Sequence, residues 1–371
     1  MTTSLCCTQL GAWDIIAAGM GPKGGQARRL PIALGAIAQS TILNDFPVLV
    51  RLTTASFPYA SARSDGLDIR FMDADGTTPL AFERESWNPS SVSDFWVKIP
   101  SLAAAPAHTD IWIYFGDDSA TDASNASAVW TDGYLAVLHG GYYDDTTTLE
   151  RYYLNSAGLA EPSAKGALDP PGDMAGTAPF GSYGFAFTGA NKMGLIFPFG
   201  ADFTDLGPLT FEARLRDQGT AADRALFFKG TNKVAKLLLT VQAGETIRFS
   251  VDYTITPLTC DSDAGMYATG SWTSFALAWD GVSGVAMYSN GDSRSTTVSG
   301  GTGTPVPNGD EQLVIGNDDK PASSDREITA DLDEIRISNT VRSPEWIRAQ
   351  YLSQLGNQLT FGEVEVLKDV R

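Results

Sequence analysis

From Arg28 onward the chain is a succession of short runs, five to eight residues long, in which apolar and polar side chains alternate. Phe46–Leu52 (F-P-V-L-V-R-L), Asp94–Ile99 (D-F-W-V-K-I) and Thr109–Phe115 (T-D-I-W-I-Y-F) are typical, and each run ends at Gly, Pro, Asp or Ser. Side chains on a strand alternate between faces, so such a run buries one face and wets the other. A long series of them specifies antiparallel sandwiches and not helix bundles. The 37 Gly and 19 Pro supply the turns between strands. The predicted class is all-β: two antiparallel β-sandwich domains and a short C-terminal helix.

One run carries an unusual polar load. Ile328–Ser338 reads I-T-A-D-L-D-E-I-R-I-S. Strict alternation places Asp331, Asp333, Ile335 and Ile337 on one face and Leu332, Glu334, Arg336 and Ser338 on the other. With the isoleucines inward, Asp333 lies at the inner edge of the core. A carboxylate there needs backbone N–H groups, an arginine or a cation.

Charge narrows the partners. The net charge is −18 and the sequence pI about 4.4, so nucleic acid and anionic lipid are repelled. No basic patch with interleaved aromatics is present. Cys6, Cys7 and Cys260 are too few and too irregular for a disulfide framework, and with His108 and His139 they offer no zinc-finger spacing. The start, M-T-T-S-L-C-C-T, has no basic residue before Lys23, and the apolar patch Trp13–Met20 is interrupted by Asp14. No signal peptide or transmembrane helix is read there.

The expected organisation is an N-terminal arm at 1–27, a β-sandwich domain at 28–131, a second sandwich at 132–342 and a helix-and-strand tail at 343–371. The arm is Gly-rich and lacks periodicity. The stretch from Gly140 to Phe180 reads as an irregular surface loop. Ser343, Pro344 and Glu345 form a helix start, and Gln358–Leu367 alternates again, as for a last strand on the first domain.

Two stretches resemble known families. Ala62–Phe71, the Asp73-Ala74-Asp75-Gly76 turn, Glu85–Asn88, Phe95–Pro100 and Ile113–Gly116 occur in the order of a β-sandwich domain of unknown function found in bacterial and archaeal surface proteins. Gly184–Gly189, Leu209–Arg214, Leu226–Gly230, Gly270–Gly281, Met287–Asp292, Leu313–Asn317 and Asp331–Ser338 resemble the laminin-G-like, concanavalin A-like jelly rolls. The resemblance implies a jelly roll at about 132–342 and a calcium ligand at Asp333. His139-Gly140-Gly141 and Thr188 stand where that family has further oxygen ligands, so the implied shell is depleted.

The remaining chemistry is sparse. His108 lies in a loop, His139 ends an apolar run, and no G-x-S-x-G is present, which leaves no nucleophile site. Asp331 with Asp333, and Glu363 with Glu365, share strand faces but fall in no cleft pattern suited to glycoside hydrolysis. Asp73, Asp75 and Gly76 mimic part of an EF-hand but lack its Glu. Glycan recognition in jelly rolls uses exposed aromatics. The candidates are Trp87, Trp96, Trp112, Trp130, Trp272, Trp279 and Tyr288, with Trp13 and Trp346 outside the sheets.

The sequence therefore points to a non-enzymatic structural or recognition protein, displayed on a large assembly such as a phage virion or at a cell surface. It associates with copies of itself or with other assembly proteins through the arm and the tail, and its jelly roll binds a surface glycan. The alternatives are a secreted or cell-surface carbohydrate-binding adhesin and a glycoside hydrolase.

Overall fold

The computed structural model describes residues 27–367, apart from 36, 38–39, 146–150, 166–174, 177–178, 182–183, 189–191, 220–222, 310 and 321–325. Most of the expected arm, with Trp13, Cys6 and Cys7, lies outside the described residues. The chain forms two compact units. One holds the described residues up to Val129 and those from Leu352 onward; the other spans Trp130–Tyr351. Among the described residues, no helix is long and apolar enough to cross a membrane.

The first unit is a sandwich of two antiparallel sheets. Its larger sheet runs Leu359–Phe361, Arg28–Leu34, Thr109–Phe115, Arg70–Asp73, with Glu365–Val366 also on Arg28–Leu34. The smaller runs Leu43–Thr53, Val92–Leu102, Phe82–Arg84. Phe71 of the larger sheet meets Phe82 and Phe95 of the smaller edge to face, at 5.4 and 5.5 Å. Gly66 is required where Trp87 closes this core. Its φ is +69°, and a Cβ there would come 2.5 Å from the Trp87 ring.

The second unit is a larger sandwich. Its ten-stranded sheet runs from Thr296–Thr302 at one edge to Gly194–Ile196, Ser163–Lys165, Arg151–Tyr153 and Tyr142–Asp144 at the other. Its eight-stranded sheet has Ala330–Ser338 at the centre, between Leu209–Asp217 and the strands Gly184–Phe187 and Tyr134–Leu138. One apolar core joins the inner faces, with Phe211 against Phe227 at 5.8 Å and Phe249 against Trp279 at 5.8 Å. The class is all-β, with a jelly roll second and a C-terminal helix, Pro344–Gln354, whose cap Ser343 accepts the Trp346 N–H at 3.1 Å.

Two expectations are corrected. Gly140–Phe180 is not one irregular loop: Tyr142–Asp144, Arg151–Tyr153 and Ser163–Lys165 extend the ten-stranded sheet to its edge. Strict alternation also fails within Ala330–Ser338. Asp333 pairs with Arg214 and Arg336 with Glu212, so Glu334 and Ile335 together oppose the single residue between them. This is a β-bulge, and Glu334 sits at its left-handed turn, φ +52°. The bulge resets the pattern, so Ala330, Leu332, Ile335 and Ile337 all enter the core. Asp331 and Asp333 therefore face outward from the sandwich core, not inward beside the isoleucines.

Candidate functional site

The outer face of the eight-stranded sheet carries most of the jelly roll's buried charge. Glu212 and Arg214 come from Leu209–Asp217, and Asp331, Asp333, Glu334 and Arg336 from Ala330–Ser338. The C-terminal helix covers part of this face: Ile347 packs on Ala276, Ala278 and Tyr288, and Gln350 accepts from Arg336 at 2.5 Å. His139 Nδ1 lies 2.7 Å from the Glu334 carboxylate, whose other oxygen accepts from Arg336. The Arg336 guanidinium stacks 4.8 Å over Trp130. Arg342 stacks over Tyr134 and Trp346, at 4.6 and 4.3 Å, and pairs with Asp132 at 2.5 Å.

Burial alone would raise the Glu334 carboxyl, but the charges and hydrogen bonds of His139 and Arg336 outweigh it and hold the group below its ordinary value. Burial raises Glu212 and pushes the Tyr134 phenol up to about 12. It lowers Arg214 to about 10. The directly bonded part of this cluster is His139–Glu334–Arg336, and Glu212 and Arg214 feel its charges. Of the carboxylates of the closing strand, Glu334 is spent on His139 and Arg336, and Asp331 on Arg216 and Gln218. Glu363 and Glu365 are exposed at the tail, and Glu365 pairs with Arg29 at 2.6 Å. His108 is exposed beside Asp110 at 3.4 Å.

Asp333 is fully buried, and one of its oxygens accepts the Glu334 N–H at 2.8 Å, bracing the bulge. It faces Arg214 across the ladder and helps to keep that arginine charged. It joins no cluster of three or more His, Cys, Asp or Glu ligand atoms among the described residues, and Thr188 is exposed. Calcium takes six to eight oxygens, and the described carboxylate and imidazole atoms near Asp333 alone are too few to supply them. The melting temperature is therefore expected to be the same in chelator and in millimolar calcium. A rise of more than about 3 °C with calcium would restore Asp333 as a ligand, since bound cation stabilises by mass action.

Asp217, at the far end of Leu209–Asp217, differs from these. Burial pushes its carboxyl up to about 6, against a Gly219 N–H that lowers it, and Glu245 adds repulsion. The fold thus prefers the neutral acid. Its contribution falls as pH rises from about 4 to about 6 and stays low above that. Asp217→Asn is expected to stabilise the protein by about 1–3 kcal/mol at pH 7 and by nothing at pH 4. Urea midpoints at the two values test this, and an equal effect at both would refute it.

The candidate aromatics are mostly packed away. Trp96, Trp130, Trp279, Trp346 and Tyr288 are buried. Trp112 lies under Arg29 at 4.1 Å and Trp272 under Arg216 at 5.2 Å. Trp87 donates to the Ser64 carbonyl at 2.9 Å and contacts Tyr59.

An aromatic pair with one exposed member lies instead in the hairpin formed by Tyr142–Asp144 and Arg151–Tyr153. Tyr142 pairs with Tyr153 on the core side, where Arg151 stacks 3.9 Å over Tyr142. Tyr143 pairs with Tyr152 on the outer side, and these rings stack at 5.6 Å and 18°. Tyr143 is 43 % exposed, and Leu154 on the same side is 47 % exposed. The Tyr143 hydroxyl donates to Glu161 at 2.9 Å, and that carboxylate raises the phenol's pKa. The signal in the sequence is the mirrored Tyr142-Tyr143-Asp144 and Arg151-Tyr152-Tyr153, two polar-ended aromatic pairs in reverse order.

Two family models match the chain, one of them across the boundary between the two units. Residues 190–348 match the family model of the concanavalin A-like lectin/glucanases superfamily, and residues 65–154 match that of a domain of unknown function (DUF2341). No curated protein matches the chain. Among solved structures, it is similar to the receptor-binding domain of botulinum neurotoxin mosaic serotype C/D, with 12 % identity, 62 % of this chain and 52 % of that chain covered, and a TM-score of 0.44. It is similar at 11 % identity to the binding domain of botulinum neurotoxin DC in complex with rat synaptotagmin II, covering 60 % and 52 % of the two chains, TM-score 0.42. The botulinum neurotoxin serotype D ligand-binding domain in complex with N-acetylneuraminic acid matches at 11 % identity over 62 % and 53 %, TM-score 0.41. The chain spans about half the length of these structures.

Proposed function

From a chain that carries a concanavalin A-like domain at 190–348 behind a DUF2341 domain at 65–154, we infer a non-catalytic protein that recognises a carbohydrate-bearing surface through its jelly roll. The observation that carries this reading is the tyrosine stack at the edge of the ten-stranded sheet, with Tyr143 exposed, while Glu334 and Asp331 of the eight-stranded sheet are bound to arginines. A binding module needs an accessible apolar platform with polar groups around it. A hydrolase needs two available carboxylates on either side of a bond. The test is binding of the whole chain to a broad glycan panel and to glycan-coated beads. Saturable binding to at least one glycan is expected; no binding across the panel would overturn the reading.

The finer reading is display of this module on a large particle, such as a phage virion, with the arm and the tail as assembly contacts. Its support is local: Leu367 donates its N–H to the Ala27 carbonyl at 3.0 Å, so the first and last described residues lie side by side. Light scattering should show a defined oligomer for the full chain and a smaller species once residues 1–26 are removed. A full chain that is monomeric at all concentrations would refute this.

A further inference from the structure

We propose that the outward side of the tyrosine hairpin is the ligand site of the jelly roll, and that it takes a neutral pyranose ring. This rests on the carbohydrate-binding reading above and goes further by naming the residues and the class of sugar.

The geometry makes Tyr143 a fixed platform. One face of its ring lies on Tyr152 at 5.6 Å, and its hydroxyl is tied to Glu161 at 2.9 Å. Among the described residues Tyr142–Asp144 is the edge strand of the ten-stranded sheet, and the Tyr143 side chain is exposed there. A tyrosine held at two points loses little side-chain freedom when a ligand arrives, which is why such residues serve as binding anchors. Leu154, two residues beyond Tyr152, extends the apolar surface. The C–H face of a pyranose is apolar and slightly positive, and fits the negative face of an aromatic ring. Its hydroxyls are donors, and Glu161 beside the ring is an acceptor.

Charge selects among sugars. Beside the tyrosine pair, the described acidic residues Asp144, Asp145 and Glu161 outnumber the cations Arg151, which pairs with Asp144 at 2.8 Å, and Lys165 of the neighbouring strand Ser163–Lys165. The whole chain adds a net charge of −18. A sialylated or sulfated glycan would be repelled at this site; a neutral hexose would not.

The experiment uses the full-length chain against neutral gluco-, galacto- and manno-oligosaccharides, with sialylated and sulfated glycans alongside. Affinities are then measured by calorimetry for the wild type, Tyr143→Ala, Tyr152→Ala and Tyr143→Phe. The wild type is expected to bind a neutral glycan. Tyr143→Ala and Tyr152→Ala should each weaken it about tenfold or more, and Tyr143→Phe by less than about threefold, with melting temperatures unchanged. Wild type that binds no glycan fails the broader reading. Wild type that binds while Tyr143→Ala binds equally well fails the site alone. Preference for the sialylated or sulfated glycans fails the neutral-sugar assignment.

Discussion

Arg336→Ala is expected to cost about 3–5 kcal/mol of stability, because it leaves buried carboxylates without their cation. Arg336 is 2 % exposed, and it is bonded to Glu334 and Gln350 and stacked on Trp130. Glu212 and Glu334 both lean on its charge. Glu334 also sets a pH sign. Its folded pKa is held below the ordinary carboxylate value, so its contribution is full above that value and is lost as pH falls through the folded pKa. Without Arg336 that acid-side loss should begin at higher pH. Adding Glu334→Gln to Arg336→Ala should recover part of the stability, because the unpaired charge goes with it. Urea unfolding measures both variants. A loss under about 1 kcal/mol for Arg336→Ala would show the network to be dispensable.

Phe211→Ala should cost a similar amount, about 3–5 kcal/mol, by a different route. Phe211 is fully buried in the middle of Leu209–Asp217, with Phe227 of the opposite sheet at 5.8 Å and Phe275 of the neighbouring strand at 6.2 Å. Removing the ring opens a cavity in the core of the sandwich that the close-packed sheets have little freedom to close. Phe211→Leu should lose markedly less, since most of the volume stays. If the alanine and leucine variants unfold at the same urea concentration, cavity size is not what governs this site.

The strands that could be read from the sequence are those whose alternation is driven by one buried face. Thr109–Phe115 and Gln312–Ile315 coincide with their runs, and Ser343 marked the helix start. Strands without that signature were missed. Thr296–Thr302 (T-T-V-S-G-G-T) is an edge strand, mostly exposed, with no apolar face to announce it. The tyrosine hairpin was missed because its strands are three residues long, too short for a period to show. The face of Asp333 was misread because alternation assumes an unbroken ladder, and the bulge at Glu334 is invisible to it. The tryptophans stand out as binding aromatics in the sequence, although most pack inside or under arginines, while a stacked tyrosine pair, whose polar tips tolerate the surface, supplies the exposed ring of Tyr143.

The pairing of Arg28–Leu34 has a consequence for how the chain is made. One flank of this strand is filled by Thr109–Phe115, the other by Leu359–Phe361 and Glu365–Val366. During synthesis, at about 5–20 residues per second, the second flank arrives on the order of tens of seconds after the first. The jelly roll residues emerge in that interval, so the later sandwich can complete its folding before the earlier one. Until then Arg28–Leu34 is an open sheet edge, the kind that pairs with neighbouring chains on a crowded polysome. Its own residues reduce that risk: Arg28 and Arg29 repel a like strand, and Pro31 offers no N–H to the ladder.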